Sequence, residues 1–139
     1  MVRTGIVGLG WWGKNIVNAV QGKTERLHFV RGVSKEPDGV REFAAKHEFE
    51  LSTELDDVLA DPSVQAVVLA TPHSLHVDQI VAVAKSGKPV FCEKPLALRK
   101  ADAVRAVEAC RKAGVLLGIG TNKRYWPSMP ALKNLCRHS

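Results

Sequence analysis

Apolar and polar positions along the chain switch repeatedly between a short, strand-like run and a helical stripe. Arg3 to Val7 is a brief apolar run ending in glycines, and Gly13, Ile16, Val17 and Val20 then recur at helical spacing, which predicts a strand and a helix. Leu27 to Ser34 predicts a second strand. Pro37 suits the N1 position of a second helix carrying Val40, Phe43 and Ala44. A weak strand near Phe49 to Leu51 precedes Thr53, whose hydroxyl is suited to cap a helix of Leu55, Val58 and Leu59 that stops at Asp61-Pro62. Val64 to Ala70 is almost continuously apolar, as expected of a central strand buried on both faces. The helix after it places Val77, Ile80, Val81 and Ala84 on one stripe and closes at Ser86-Gly87. Pro89 to Cys92 predicts a fifth strand. A long helix follows with Ala103, Val104, Val107 and Cys110 on its inner face, ending at Gly114. Val115 to Ile119 then predicts a sixth strand, Thr121 to Pro127 a loop, and Ser128 the cap of a short last helix.

Strand and helix alternate from end to end, so the expected fold class is α/β, a doubly wound (Rossmann) parallel sheet covered by helices. No internal repeat or low-complexity segment interrupts the pattern. At 139 residues the chain has the length of one such domain. A hydrophobic fraction of 45% and a charged fraction of 24% are those of an ordinary globular protein. No apolar run approaches the ~20 residues of a membrane span, so no membrane partner is expected. The first residues pass directly into a strand pattern, without a signal or transit segment, which leads to the expectation of a cytoplasmic protein. Cys92, Cys110 and Cys136 are odd in number and lack metal-ligand spacing; reduced thiols are expected, and neither a disulfide framework nor a metal site.

The net charge of +6 raises the question of nucleic acid. Its distribution answers otherwise. From Thr121 to Ser139 the chain has Lys123, Arg124, Lys133 and Arg137 and no acid, whereas the earlier part mixes both signs. A solvated tail, or a surface for another domain, explains that better than a nucleic-acid groove with interleaved stacking aromatics.

Gly8-Leu9-Gly10-Trp11-Trp12-Gly13 is a G-x-G-x-x-G between a strand and a helix, the context that makes this pattern a dinucleotide fingerprint. The first glycine permits the turn, the second lets backbone approach a pyrophosphate, and the third lets helix and strand pack closely. The helix N-terminus offers unpaired N–H groups to the anion. An acid at the end of the second strand would accept from the ribose hydroxyls of NAD. Here the position is Ser34, followed by Lys35, which suits a 2′-phosphate and favours NADP over NAD; Glu36 is the neighbouring group that opposes this. Thr71-Pro72-His73, Glu93-Lys94-Pro95 and Asn122-Lys123-Arg124 also follow strands, so they are expected on the same rim as the glycine loop.

These segments, with Ala70-Thr71-Pro72-His73-Ser74-Leu75-His76, Gly87-Lys88-Pro89-Val90-Phe91-Cys92-Glu93-Lys94-Pro95 and Asn122-Lys123-Arg124-Tyr125-Trp126-Pro127, resemble the N-terminal half of the glucose-fructose oxidoreductase/inositol dehydrogenase (Gfo/Idh/MocA) family across essentially the whole chain. The resemblance implies a nicotinamide enzyme that oxidises a hydroxyl of a sugar, cyclitol or related polyol, or reduces the ketone. It implies a pyrophosphate loop at Gly8, Gly10, Trp11, Trp12 and Gly13, an adenosine-ribose selector at Ser34 and Lys35, and a loop of Thr71, Pro72, His73 and His76 near the nicotinamide ribose. His73 stands where many relatives have Asn. Glu93 and Lys94 resemble the loop at nicotinamide and substrate, with Lys94 the catalytic candidate beside a cis bond to Pro95; Asn122 and Arg124 complete the cofactor set. The resemblance further implies residues 1–121 as the NAD(P)-binding domain and 122–139 as the start of a connection to a missing second α/β domain, which in relatives holds a catalytic Asp/His pair. Catalysis by this chain alone is then expected to be incomplete. The apolar surface left around the sixth strand and Tyr125-Trp126-Pro127 is expected to drive self-association into a homo-oligomer.

Two other function classes compete. A non-catalytic NAD(P) sensor or subunit would keep the glycine loop and have no use for Lys94. A methyltransferase shares a glycine-rich first loop but usually has an acid ending its second strand, which Ser34 is not.

Overall fold

The apolar runs form six strands in a computed structural model that describes residues 1–137: Val2–Val7 (β1), Leu27–Val33 (β2), Glu50–Ser52 (β3), Ala66–Leu69 (β4), Val90–Glu93 (β5) and Leu117–Gly120 (β6). Every pairing is parallel, and the order is β3-β2-β1-β4-β5-β6. Helices Trp11–Val20 (α1), Arg41–Lys46 (α2), Leu55–Ala60 (α3), His76–Lys85 (α4), Lys100–Ala113 (α5) and Ser128–Arg137 (α6) follow the strands in turn. The order reverses between β1 and β4, so the doubly wound sheet expected from the sequence is present. At such a reversal the loops leaving adjacent strands diverge and open a crevice at their carboxyl ends.

Alternating side chains divide the core in two. Val7, Val67, Leu69, Val90 and Cys92 join Ile80, Ala106 and Cys110 on one face of the sheet. Ile6, Phe29 and Val68 join Val17, Ala44 and Phe49 on the other. Val67, Val68 and Leu69 are all buried, as the near-continuous apolar run required, though the strand itself is shorter than Val64 to Ala70.

Three local expectations are corrected. Pro37 does not begin an α-helix: it opens a 3-10 turn, Asp38–Val40, and α2 starts only at Arg41. Thr53 does not cap α3. Glu54 occupies the N-cap without a side-chain cap bond, and the Ser52 hydroxyl accepts from the Glu54 N–H at 3.2 Å and donates to Asp57. In α5 the packed face is Ala106 and Cys110 with Ala109, while Val104 and Val107 are about half exposed. Small side chains let α5 lie close on α4, which turns the valines outward. The expected loop from Thr121 also contains a 3-10 turn, Asn122–Tyr125.

The expected surface around β6 is exposed: Leu116 and Tyr125 are each 80% accessible, and Ile119 and Trp126 are partly so. Among the described residues, no helix is long and apolar enough to cross a membrane. Cys92 and Cys110 are buried free thiols, with burial pushing the Cys92 thiol up to about 12, and Cys136 is an exposed free thiol. Among the described residues there is no cluster of acidic, histidine and cysteine side chains fit for a metal.

Candidate functional site

The turn from β1 into α1 is built on close backbone contacts. Gly8 has φ of +94°, and a β-carbon there would stand 2.6 Å from the carbonyl oxygen of Ala70, the residue that follows β4. At Gly13 a β-carbon would lie 1.9 Å from the Gly8 oxygen. Gly10 is different: nothing lies within 4 Å of where its β-carbon would be. Gly8 and Gly13 serve the fold, whereas Gly10 leaves open space beside the start of a helix. Lys14 N–H, bonded to the Gly10 carbonyl at 3.0 Å, is the first donor satisfied within α1. The N–H groups of Trp11, Trp12 and Gly13 are left pointing out of the helix end. With no acid in that first turn, the end of α1 has the polarity an anion needs.

Two cavities meet at this turn and share Thr71. The larger, about 740 Å³, runs between Gly8 and Gly10 on one side and Ser34, Lys35, Pro72 and Leu75 on the other. The smaller, about 420 Å³, is bounded by Trp11, Trp12, His73, Lys94, Asn122 and Trp126. The loops after β1, β2, β3, β4, β5 and β6 all contribute, so the rim expected from the sequence exists. A crevice of this length, with a helix N-terminus at its middle and an unobstructed Gly10, fits a dinucleotide whose pyrophosphate lies at α1.

Around the larger cavity, Lys35 is not free: its ammonium lies 3.2 Å from Glu54, which arrives from the loop after β3. Both groups are largely exposed, and such pairs contribute only ~0–1 kcal/mol, so another anion can displace the carboxylate. The Ser34 hydroxyl bonds the Glu36 carbonyl at 3.2 Å. Thr71 donates its hydroxyl to Gln79.

The Lys94–Pro95 bond is cis, as the resemblance implied. The turn it makes is tied down by His76, which is fully buried. One imidazole nitrogen lies 2.8 Å from the Pro95 carbonyl oxygen and the other 2.9 Å from that of Thr71. His76 therefore lines neither cavity, contrary to its expected place in the cofactor loop; it joins the loop after β4 to the loop that bears Lys94. Arg124 also lies away from both cavity walls, its guanidinium 5.7 Å from the Tyr125 ring. Gly13 is buried beneath the loop as a packing residue. The other expected residues, Gly8, Gly10, Trp11, Trp12, Ser34, Lys35, Thr71, Pro72, His73, Glu93, Lys94 and Asn122, all line one cavity or the other.

Sequence reasoning missed Lys14 and Glu54 on the cavity walls, and placed Lys123 on the rim without singling it or Trp126 out as site residues. Glu54 was findable from the rule that every loop after a strand shares the rim. Lys123 and Trp126 sit within a motif whose neighbours were singled out. The Trp12 Nε1–H, shielded from solvent, has no acceptor among the described residues.

Comparison with known proteins matches this geometry. The family model for the Gfo/Idh/MocA oxidoreductase family, NAD-binding Rossmann fold, covers residues 2–121. The chain is 32% identical over 133 residues to myo-inositol 2-dehydrogenase of Thermotoga maritima, covering 95% of this chain and 40% of that protein. It is 34% identical over 143 residues to scyllo-inositol 2-dehydrogenase (NAD(+)) of Bacillus subtilis, covering 91% of this chain and 37% of that one. Among solved structures, the WlbA dehydrogenase of Bordetella pertussis in complex with NADH and UDP-GlcNAcA superposes with a TM-score of 0.92 at 33% identity, covering 99% of this chain and 42% of that chain. The chain thus spans about two fifths of the length of these relatives. With the family model covering residues 2–121 of the 139, the chain belongs to the Gfo/Idh/MocA oxidoreductase family and carries its NAD-binding Rossmann domain.

Proposed function

We propose that this domain binds a nicotinamide dinucleotide across the two cavities and takes part in oxidising a CH–OH group of a sugar, cyclitol or related polyol. The observation that supports the reading most strongly is the open space at Gly10 beside the N-terminus of α1, between a cavity that ends at Ser34 and Lys35 and one that ends at Lys94. The backbone N–H groups of Trp11 to Gly13 hold the pyrophosphate. Thr71 and Pro72 wall the middle of the crevice, and Trp11, Trp12, His73, Glu93 and Asn122 close its nicotinamide end.

When bound, nicotinamide supplies the acceptor or donor of hydride. The ammonium of Lys94 stands at the hydroxyl being oxidised and steadies the negative charge that develops on its oxygen, while the hydroxyl proton leaves to a base among the residues outside this chain. The myo-inositol and scyllo-inositol dehydrogenases among the relatives support the polyol class. Because the chain spans about two fifths of those enzymes, turnover draws on residues outside it, and this chain alone is catalytically incomplete.

NADP is the assigned cofactor in preference to NAD. No carboxylate ends β2, Ser34 and Lys35 stand in its place, and the weak Lys35–Glu54 pair yields its ammonium to a 2′-phosphate. Titration with NADPH and NADH, followed by tryptophan fluorescence, tests both levels: all three tryptophans line the smaller cavity. Saturable quenching by both, tighter for NADPH, is the expected result. Tighter NADH binding removes the NADP assignment, and no change with either up to ~1 mM removes dinucleotide binding altogether.

The exposed apolar residues Leu116, Ile119, Tyr125 and Trp126 support self-association of the chain. Free thiols buried at Cys92 and Cys110 suit a reducing compartment, and we assign the protein to the cytoplasm. Light scattering that gives the monomer mass at high concentration would remove the self-association.

A further inference from the structure

The strand that lacks an acid at its end lies beside one that brings it. β2 ends at Val33 and is followed by Ser34 and Lys35, so no carboxylate stands where the adenosine ribose of NAD ordinarily finds one. β3 runs parallel to β2 with Ser52 opposite Val33. The Ser34 N–H donates to the Ser52 carbonyl at 3.0 Å, which holds the two strand ends together. Two more steps of the same register set Glu54 opposite Lys35, and both line the larger cavity.

Two contacts hold Glu54 at that place. The Ser52 hydroxyl accepts from its N–H at 3.2 Å, which shapes the turn out of β3, and both of its carboxylate oxygens accept from the Lys35 ammonium at 3.2 Å. The Lys35 and Glu54 side chains are 79% and 62% exposed, so water screens the pair and neither group is committed to the other. Glu36 also lines this cavity, but it meets Ser34 through its backbone N–H and carbonyl.

A carboxylate and an ammonium side by side suit two different ribose ends. A free 2′-hydroxyl donates and calls for an acceptor, whereas a 2′-phosphate accepts and calls for a cation. We propose that Glu54 is the ribose-binding acid of this cavity, supplied by the loop after β3 in place of the acid missing from β2. Glu54 accepts from the ribose hydroxyls of NAD(H), and Lys35 turns from Glu54 to the 2′-phosphate of NADP(H). The proposal rests on reading the larger cavity as the adenosine end of a dinucleotide site. Its consequence is a shallow preference: Glu54 favours NAD(H) through its acceptor oxygens and opposes NADP(H) through its charge, so the two members of the pair pull the selectivity in opposite directions.

Calorimetric titration of the whole 139-residue chain with NADPH and NADH tests this. In the parent both are expected to bind, NADPH more tightly by no more than about tenfold. Binding of neither up to ~1 mM rejects the dinucleotide reading and this proposal with it. Binding of NADPH without NADH leaves that reading in place and overturns the part given to Glu54. Glu54→Gln keeps the size of the side chain and removes its charge; NADH is expected to weaken about tenfold while NADPH holds or tightens, so the NADPH-to-NADH affinity ratio rises at least about tenfold. Lys35→Ala is expected to lower the same ratio about tenfold. A purely structural role for the ion pair would weaken both dinucleotides together. An unmoved ratio in Glu54→Gln, or NADH affinity lost in Glu36→Gln instead, would overturn the assignment to Glu54, and an unmoved ratio in Lys35→Ala would overturn the exchange of partners by Lys35.

Discussion

The carbonyl oxygen of Gly8 occupies the ground that a β-carbon on Gly13 would need, only 1.9 Å from its ideal position. The obstacle is backbone on both sides of the turn, so no side-chain movement relieves it. Gly13→Ala must push α1 away from β1 and is expected to destabilise the chain by ~3 kcal/mol or more, in the upper range of single substitutions. Urea denaturation checks this; a midpoint within experimental error of the parent would mean the turn is looser than described.

His76 and Thr71 make a second such junction. The buried imidazole lies between the Thr71 and Pro95 carbonyl oxygens, so removing it empties a core site and strips the carbonyl that accepts its N–H of a partner. His76→Ala should cost ~3 kcal/mol. The same substitution should free the Lys94 loop, seen as faster amide exchange around Leu96 and Ala97 than in the parent. Slow exchange there together with a loss under ~1 kcal/mol would deny His76 its role as a clamp.

Asp61 makes stability depend on acid. Hydrogen bonding from Ser63 is the main influence holding its carboxyl below the ordinary 3.8; partial burial opposes this, and the Arg31 guanidinium 2.9 Å away adds to it. A carboxylate whose pKa is lower in the folded than in the unfolded chain contributes its full stabilisation above the unfolded value. That contribution disappears as pH falls through the folded one. The parent should therefore exceed Asp61→Asn in melting temperature by a constant margin above about pH 5, and the margin should shrink below about pH 4. A margin that stays level or widens toward acid would contradict this account.

Much of the fold was legible because it is written locally. Each strand run carried its apolar residues together, and each helix had a stripe, so the alternation alone gave the doubly wound sheet. Local reading failed where partners are distant or packing favours small side chains. Val104 and Val107 read as core because valine is more apolar than alanine, yet close helix packing buries Ala106 and Cys110, half-buries Ala109 and leaves the valines outside. Lys35 read as a free cation because Glu54 reaches it from another strand's loop. His76 read as a cofactor contact because Pro95, 19 residues away, gives no sign in the sequence that its carbonyl returns to the imidazole. Gly8 and Gly10 looked alike on paper, and only the structure separates the one that the fold requires from the one that faces open space.

That separation provides the most direct test of dinucleotide binding at the α1 turn. Gly10 has an ordinary φ of −70°, and its missing β-carbon would touch nothing in the protein. Gly10→Ala should fold, with a melting temperature lowered by no more than a few degrees for the poorer N-cap. In the dinucleotide complex the added methyl stands where the pyrophosphate approaches. The decisive measurement is the affinity of NADPH and NADH for folded Gly10→Ala beside the parent: both are expected to weaken at least about tenfold. Undiminished affinity in a folded Gly10→Ala would contradict the placement of the dinucleotide across this turn.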